Sequence, residues 1–270
     1  TVTFPTENFG ATDGINHLLS VLLGGQCDIG IIRGCRLTAV SFGTWGGRLP
    51  GPRYGMTGIR DTLGVFDRPL IGSVLKPKIG CSPDTYADIA HQLAVGGVDF
   101  IKEDEILGDP PSAPFKQRVH AISEALREES VLYAPCITGD GSEVLRKAEL
   151  ANKLGAGAVH CNLWAGLGTY LELRRSIDLP IFFQKSGDKV WTTGGYSMAF
   201  TVRCQLVNGI GCDFAHVGMH GGYLSEPAEE IRERMVALGT TIPSFSCGAH
   251  PGVVKKLMTE FGNDIMITAG

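Results

Sequence analysis

Eight short apolar runs recur between residues 71 and 268, and this repetition constrains the fold more than any other feature of the chain. The runs are rich in β-branched and aromatic residues, and they are more continuous than alternating, which is typical of strands covered on both faces. They lie at 71–75, 98–102, 131–137, 158–161, 180–184, 212–217, 242–246 and 264–268.

Segments with helical spacing separate these runs. After the first run, Ser82 can cap a helix and Pro83 can occupy its first position. Eight strands alternating with helices predict an α/β fold, a (β/α)₈ TIM barrel over 71–270, rather than an open sheet. No helix follows the eighth strand, so we expect a barrel truncated there. The further predicted helices lie at about 115–127, 142–154, 168–176, 196–208, 226–238 and 250–260.

Residues 1–45 do not follow this alternation. TVTF and RLTAVSF predict two strands, and the pattern over 13–24 predicts a helix between them. Two strands and one helix bury too little surface to fold alone. We therefore expect residues 1–45 to be the C-terminal part of an N-terminal α+β domain, and the Gly/Pro-rich residues 46–70 to be a linker. On this interpretation the chain is a fragment of a longer protein.

Charge and cysteine content argue against several classes of protein. The formal net charge of -4 provides no basic surface for nucleic acid or anionic membranes. No apolar run is long enough to span a bilayer, and no signal-peptide pattern opens the chain. The eight cysteines are scattered without a CxxC pair, as expected for reduced thiols. We expect a cytoplasmic protein without nucleic-acid or membrane partners.

Charged residues crowd together where the second predicted strand ends. In GGVDFIKEDEILGD, residues 96–109, the strand runs directly into Lys102, Glu103, Asp104 and Glu105. TIM-barrel enzymes place their catalytic groups at the carboxyl ends of the strands. By two-residue alternation Lys102 and Asp104 share a face, Glu105 joins them if the strand has begun to turn, and Glu103 is an outward-facing charge. The alternative is a solvated surface turn.

A second charged motif ends the first predicted strand. In LKPKIG, Lys76 and Lys78 are two residues apart. Either motif alone is better explained as solvated charge, but their placement on adjacent strand ends favours an active site. Carboxylates there suit Mg²⁺, which prefers oxygen ligands. A lysine held near a metal and other cations could have a lowered pKa and act as a base.

These two motifs resemble a known family. GSVLKPKIG followed by GGVDFIKEDE resembles the large chain of ribulose-bisphosphate carboxylase (RuBisCO), and more closely the RuBisCO-like proteins, which share its fold without fixing CO₂. The resemblance continues in chain order through CDFAHVG, SFSCGAH and IMITAG. It implies that Lys102 reacts with CO₂ to become a carbamate and binds Mg²⁺ together with Asp104 and Glu105. It also implies that Lys76 and Lys78 lie beside the enediolate of the substrate.

The later motifs imply the rest of the site. By resemblance, His216 lies near the substrate, whereas His160 is interpreted as structural. Backbone N–H groups in the turns after strands seven and eight are expected to bind a phosphate, in agreement with the general phosphate site of TIM barrels. The residues of these turns are Ser246, Cys247, Gly248 and Gly270.

Three departures from the carboxylases restrict the expected function. Carboxylases carry His-x-His-Arg where this chain reads IFFQ at 181–184, and the adjacent Lys185 could replace the phosphate-binding arginine only in part. Tyr223 lies near the position of the loop lysine that stabilises the carboxylated intermediate, and the asparagine given to the partner's site is replaced around Gly25. We therefore do not expect CO₂ fixation, and we favour a substrate with one phosphate.

Three functional hypotheses follow. The first is an Mg²⁺-dependent lyase or isomerase that enolises a monophosphorylated keto sugar or sugar acid, with decarboxylation or C–C cleavage as the favoured outcome. The second is a methylthio-sugar-phosphate enolase or isomerase of methionine salvage, in which Phe182 and Phe183 could face the methylthio tail or simply pack in the strand. The third is a non-catalytic binding barrel, which would not need this charge arrangement. The family also implies a homodimer or higher homo-oligomer.

Overall fold

The computed structural model describes residues 1–10 and 12–270, which fold into strands and helices that alternate over most of the chain. Numbered in chain order, the strands are β1 (Cys35–Leu37), β2 (Leu70–Val74), β3 (Phe100–Lys102), β4 (Leu132–Ala134), β5 (Val159–Asn162), β6 (Ile181–Gln184), β7 (Tyr196–Met198), β8 (Phe214–Gly218), β9 (Ile242–Phe245) and β10 (Met266–Ala269). The helices are α1 (Ile15–Leu23), α2 (Gly55–Leu63), α3 (Pro83–Val95), α4 (Phe115–Ala125), α5 (Ser142–Lys153), α6 (Leu167–Ser176), α7 (Lys189–Thr192), α8 (Phe200–Gly209), α9 (Ala228–Leu238) and α10 (Pro251–Phe261).

Eight of the strands form one parallel sheet that curls into a barrel. Their order is β4-β3-β2-β10-β9-β8-β6-β5, and every pairing in it is parallel. An isolated parallel bridge between Cys136 and His160 joins the two ends of this order, so that the barrel is nearly closed. The predicted (β/α)₈ barrel is therefore confirmed, and each of its strands overlaps the run that predicted it.

The N-terminal segment differs from its prediction. Residues 1–4 form no strand, and the observed strand Cys35–Leu37 includes only Arg36 and Leu37 of the second predicted strand, RLTAVSF. This strand, β1, pairs in parallel with β7, where Cys35 lies opposite Tyr196. Because β7 occupies the start of the helix predicted at 196–208, α8 begins only at Phe200. Helix α1 agrees with the pattern that predicted it.

The segment predicted as a linker contains helix α2. Gly64 ends this helix in the left-handed conformation, with φ 70, which glycine adopts without strain. Ile59 and Leu63 of α2 are buried in one apolar cluster with Leu70 and Phe100 at the amino ends of the barrel strands. Apolar spacing did not predict this helix, because glycines at 55, 58 and 64 interrupt the pattern.

Aromatic rings fill the barrel below its mouth. The ring centroids of Phe100, Phe182 and Phe214 lie 4.7 to 6.1 Å apart. Phe183 points the other way, toward the helix layer, and packs against Tyr170 at 4.9 Å. Phe182 and Phe183 are both fully buried, which confirms the packing interpretation of these two residues. No helix in the part of the chain that the structure describes is long and apolar enough to cross a membrane.

Candidate active site

A cavity of about 560 Å³ opens at the carboxyl ends of the barrel strands. Because parallel strands present all their carboxyl ends at one face, residues far apart in sequence meet there. The structure brings all the predicted site residues into the wall of this cavity: Lys76, Lys78, Lys102, Asp104, Glu105, His216, Ser246, Cys247, Gly248 and Gly270.

Lys102 is the last residue of β3 and is 1% exposed. Burial lowers the pKa of its amine from the ordinary value, while the nearby charge of Glu105 acts in the opposite direction. The amine donates a hydrogen bond of 3.1 Å to the carbonyl oxygen of Glu103, and it lies 5.7 Å from the ring centroid of Phe182. The lowered pKa makes the neutral amine, which is the form that reacts with CO₂, easier to reach than in an exposed lysine.

Asp104 and Lys76 form an ion pair at the cavity wall. The distance between Lys76 Nζ and Asp104 Oδ2 is 2.7 Å, and the side chains are 38% and 3% exposed respectively. The other oxygen, Oδ1, accepts a hydrogen bond of 3.3 Å from the backbone N–H of Ile106. Lys78 lies exposed at the rim of the same cavity. The two lysine motifs therefore meet, as the adjacent strand ends predicted.

Glu105 is linked to residues at the exit of β6. Its Oε1 accepts a hydrogen bond of 2.5 Å from Ser186 Oγ. Ser186 Oγ in turn accepts a hydrogen bond of 2.8 Å from Gln184 Nε2. The carboxylate is thus held in place from outside its own strand.

The donor set of this cavity suits a hard divalent cation on one condition. Among the described residues, no group of three or more His, Cys, Asp or Glu side chains could hold a metal ion. Asp104 and Glu105 provide only two carboxylates, and an unmodified Lys102 is not an oxygen ligand. A carbamate on Lys102 would add the third oxygen group, and Mg²⁺ prefers such a set. The residues present fit Mg²⁺ if Lys102 is modified in this way.

Glu103 differs from its prediction. Its side chain points away from the barrel axis, as alternation predicted, but it is fully buried rather than at the surface. Its carboxylate accepts hydrogen bonds from Arg118 Nε at 2.6 Å, the hydroxyl of Tyr133 at 2.6 Å and the backbone N–H of Cys136 at 2.8 Å. An outward direction in a barrel strand leads into the helix layer, where α4 supplies the arginine. The prediction of a plain outward-facing charge is therefore wrong.

His216 lies on β8 and is 4% exposed. Burial first, and then the positive charge of Lys102, hold the pKa of its imidazole well below the ordinary value. Its Nδ1 lies 3.1 Å from Ser246 Oγ, and its ring stands edge-on to Phe182 at 4.8 Å. At neutral pH this histidine is an uncharged group oriented by a serine.

The turn after β9 is unusually tight. Cys247 has φ 76, a left-handed conformation that is uncommon outside glycine. Gly248 has φ 106, and a Cβ atom there would lie 2.5 Å from the backbone nitrogen of Tyr223. At the end of β10, a Cβ on Gly270 would lie 2.8 Å from the Cβ of Val74. Only glycine fits at these two positions, and Cys247, Gly248 and Gly270 line the cavity where a phosphate turn was expected.

Several cavity residues were not predicted as part of the site. Ser186, Asp188 and Lys189 line the cavity directly after β6. The signal was present in the sequence, because QKSGDK follows an apolar run just as KEDE does. The same rule about strand ends would have selected both stretches.

Residues 55–270 match the family model described as the ribulose bisphosphate carboxylase large chain, catalytic domain. The chain belongs to the RuBisCO large-chain family. A RuBisCO-like protein of Bordetella bronchiseptica, described as uncharacterised, is 36% identical over 240 residues, which cover 86% of this chain and 56% of the relative. The chain therefore spans only a little over half the length of that relative.

Two further RuBisCO-family relatives cover almost the whole chain. A protein of Bacillus velezensis named 2,3-diketo-5-methylthiopentyl-1-phosphate enolase is 35% identical, with 100% of this chain and 70% of the relative covered. The crystal structure of a RuBisCO-like protein from Burkholderia fungorum is 28% identical, with a TM-score of 0.90 and coverage of 99% of this chain and 70% of that one. The predicted membership among RuBisCO-like proteins is confirmed.

Proposed function

We propose that this chain carries the active site of a RuBisCO-like enzyme that enolises a phosphorylated keto sugar with the help of Mg²⁺. One observation carries the proposal: Lys76, Lys102, Asp104 and Glu105 share a single cavity with the glycine turn at 246–248. A group that can move protons, a set of cation ligands and a turn that can bind phosphate are together what such a reaction requires.

The relatives support enolisation as the outcome. The Bacillus velezensis relative is named as an enolase of 2,3-diketo-5-methylthiopentyl 1-phosphate. This name supports the methionine-salvage hypothesis better than decarboxylation, which the sequence had placed first. We therefore propose tautomerisation of the keto sugar to its enol as the reaction.

Lys102 as a carbamate, Asp104 and Glu105 would hold Mg²⁺. When bound, the cation supplies positive charge that acidifies the C–H group next to a keto oxygen. This role agrees with the lowered pKa of Lys102, since a neutral amine is needed for the carbamate.

The remaining side chains act on protons and on position. Lys76 reaches into the cavity, where its ammonium group already contacts Asp104, and it is the group we assign to proton transfer. Lys78, at the rim, is assigned as its partner in this proton chemistry. His216, neutral and held by Ser246, can orient a substrate oxygen with its other ring nitrogen.

The phosphate is assigned to the turn at 246–248 and to the end of β10. Backbone N–H groups of Cys247, Gly248 and Gly270 can approach an anion closely because two of these residues lack a side chain. Assembly into a homodimer or higher homo-oligomer and a location in the cytoplasm remain predictions, made from the family and from composition.

Solvent deuterium exchange tests the proposed function. The chain is incubated in D₂O with Mg²⁺, bicarbonate and either 2,3-diketo-5-methylthiopentyl 1-phosphate or ribulose 1-phosphate, and ¹H NMR follows the C–H signals next to the keto groups. We expect loss of signal with at least one compound. Absence of exchange with both compounds would contradict the proposal.

A further inference from the structure

Glu103 lies between two residues of the proposed metal site, and its main chain is hydrogen-bonded on both sides. Its side chain points into the helix layer, whereas those of Lys102 and Asp104 line the cavity. Its backbone N–H donates to the carbonyl oxygen of Ala134 at 3.1 Å. Its own carbonyl oxygen accepts from Lys102 Nζ at 3.1 Å. A shift of Glu103 would therefore move the residues on both sides of it.

The carboxylate of Glu103 binds the guanidinium of Arg118. Both side chains are 0% exposed, and Arg118 donates to Oε1 from Nε at 2.6 Å and to Oε2 from Nη2 at 3.1 Å. A two-point contact of this kind fixes direction as well as distance. The hydroxyl of Tyr133 and the backbone N–H of Cys136 also donate to this carboxylate. The buried charge is therefore both paired and hydrogen-bonded.

Arg118 also holds the loop that follows β3. Its Nη2 donates to the carbonyl oxygens of Leu107 at 3.3 Å and Gly108 at 2.8 Å. Its Nη1 donates to the carbonyl oxygen of Ala113, just before α4. One guanidinium thus binds the first residue after β3, the middle of the loop and its end.

We infer that Glu103 and Arg118 are positioning residues of the proposed metal site. Their buried ion pair fixes the loop that presents Asp104 and Glu105 to the cavity. The inference rests on the proposed function and deepens it, because Mg²⁺ affinity then depends on two side chains that are buried outside the cavity. Asp104 and Glu105 follow Glu103 directly, so a change in the direction of its backbone moves both. Groups that orient metal ligands typically change metal affinity by about 10–100-fold when they are removed.

A second buried arginine–carboxylate pair provides a matched control. Arg174 and Asp213 are 1% and 0% exposed, and Arg174 Nη1 lies 3.3 Å from Asp213 Oδ2. The backbone N–H of Ile181 also donates to Oδ2, at 2.9 Å. Ile181 begins β6 and Asp213 directly precedes β8, so this pair lies at the amino ends of the strands, opposite the cavity. It matches the Glu103–Arg118 pair in charge and burial but not in position.

Calorimetric titration with Mg²⁺ in saturating bicarbonate compares Glu103→Gln with Asp213→Asn. Each substitution replaces a buried carboxylate by its amide and leaves an arginine without a charged partner, so both should lower the urea concentration at half unfolding. We expect Glu103→Gln to weaken Mg²⁺ binding by about 10–100-fold. Asp213→Asn should change it by less than about twofold, since the site is distant. Circular dichroism confirms that each variant is folded before titration.

Two milder variants test the inference if the amide variants do not fold. Tyr133 donates to Glu103 Oε1 at 2.6 Å, whereas Tyr170 donates to the carbonyl oxygen of Cys161. Both tyrosines are buried, and substitution by Phe removes a single hydroxyl from each. We expect Tyr133→Phe to weaken Mg²⁺ binding about fivefold. Tyr170→Phe should leave it within about twofold of the wild type.

The possible results separate the inference from the proposed function. The wild type should bind Mg²⁺, and Asp104→Asn should bind it at least about tenfold more weakly, which shows that the titration reports the cavity. If this holds but Glu103→Gln and Tyr133→Phe bind within about twofold of the wild type, the inference is overturned and the proposed function stands. Equal weakening by the control variants would also overturn the inference alone. If the wild type does not bind Mg²⁺, or if Asp104→Asn binds it equally well, both fail.

Discussion

The same barrel strands build a floor and a mouth that differ completely in chemistry. On each of three strands, an inward-facing aromatic residue forms part of the floor beneath the cavity. The residue two positions later on the same face is polar and lines the mouth of the cavity. The pairs are Phe100 and Lys102 on β3, Phe182 and Gln184 on β6, and Phe214 and His216 on β8.

This layering follows from the two-residue period of a strand. Residues i and i+2 lie on one face, about 6–7 Å apart along the strand, so an inward-facing pair forms two stacked layers. The aromatic layer keeps water from beneath the polar one. As a result Lys102 and His216 are buried, and burial is the largest cause of the lowered pKa of each. The floor thus contributes to the chemistry of the mouth without contacting the solvent side of the cavity.

The largest effect should come from removing the central charge of the mouth. Lys102→Met leaves no nitrogen for a carbamate, so we expect the rate of deuterium exchange to fall by about a thousandfold or more. The free energy of unfolding should stay the same or rise, because a buried cation is replaced by an apolar chain. Exchange kinetics and urea unfolding measure the two quantities. A variant that keeps a tenth or more of the wild-type exchange rate would contradict the assignment of Lys102 to the metal site.

A substitution in the aromatic floor should have the opposite effects to Lys102→Met, with a large loss of stability and a small loss of rate. Phe100→Ala removes a ring that stacks on Phe182 and Phe214, and it should lower the free energy of unfolding by about 3–5 kcal/mol. The exchange rate per folded molecule should fall less than about tenfold, since no polar group is lost. Phe66, which is 63% exposed, provides the matched control. Phe66→Ala should change stability by less than about 0.5 kcal/mol.

A third change concerns a buried histidine of β5 that does not line the cavity. His160 is fully buried, neither ring nitrogen has a partner among the described residues, and burial holds its pKa well below the ordinary value. Below pH 6.5 the unfolded chain binds a proton that the folded chain does not, so stability falls as the pH falls.

His160→Leu should therefore reduce this acid sensitivity. Between pH 6.5 and 5, the slope of unfolding free energy against pH should decrease by up to about 1.4 kcal/mol per pH unit. Urea unfolding at several pH values measures the slope. A slope equal to that of the wild type would show that His160 does not titrate as described. His216 has a lowered pKa too, so part of the acid sensitivity should remain.

The smallest effect is expected at the serine that orients His216. Ser246→Ala removes the 3.1 Å contact to Nδ1 but leaves the imidazole and the turn backbone in place. We expect the exchange rate to fall about three- to tenfold, with stability reduced by about 1 kcal/mol or less. Ser246→Thr keeps the hydroxyl and should restore most of the rate. Equal rates for Ser246→Ala and the wild type would show that Ser246 does not help His216 to act in the reaction.

Periodicity and strand ends were enough to predict the barrel and the place of its site. Lys102 and Asp104 share a face because of a two-residue period, which is a local property readable from spacing. Spacing alone does not show whether an outward-facing side chain meets solvent or another element of the fold. Glu103 points outward as predicted, but the helix layer, not water, receives it, and only the fold brings Arg118 there.

The pairing of strands that are distant in sequence could not be predicted either. The residues of β1 pair with those of β7 across more than half the chain, and no local pattern at Tyr196–Met198 distinguishes that strand from the start of a helix. The two hydrogen bonds that connect Gln184 to Ser186 and Ser186 to Glu105 join two strand exits that are distant in sequence. Each residue was visible as a polar group near a strand end, but their contact depends on barrel closure.

The proposed carbamate on Lys102 is tested most directly by the affinity of the cavity mouth for Mg²⁺. Calorimetric titration of the wild type and of Lys102→Met, each with and without bicarbonate, measures whether Lys102 becomes an oxygen ligand. If Lys102 forms a carbamate, bicarbonate should tighten Mg²⁺ binding to the wild type by about tenfold or more and have no effect on the variant. Equal Mg²⁺ affinity in all four titrations would contradict it.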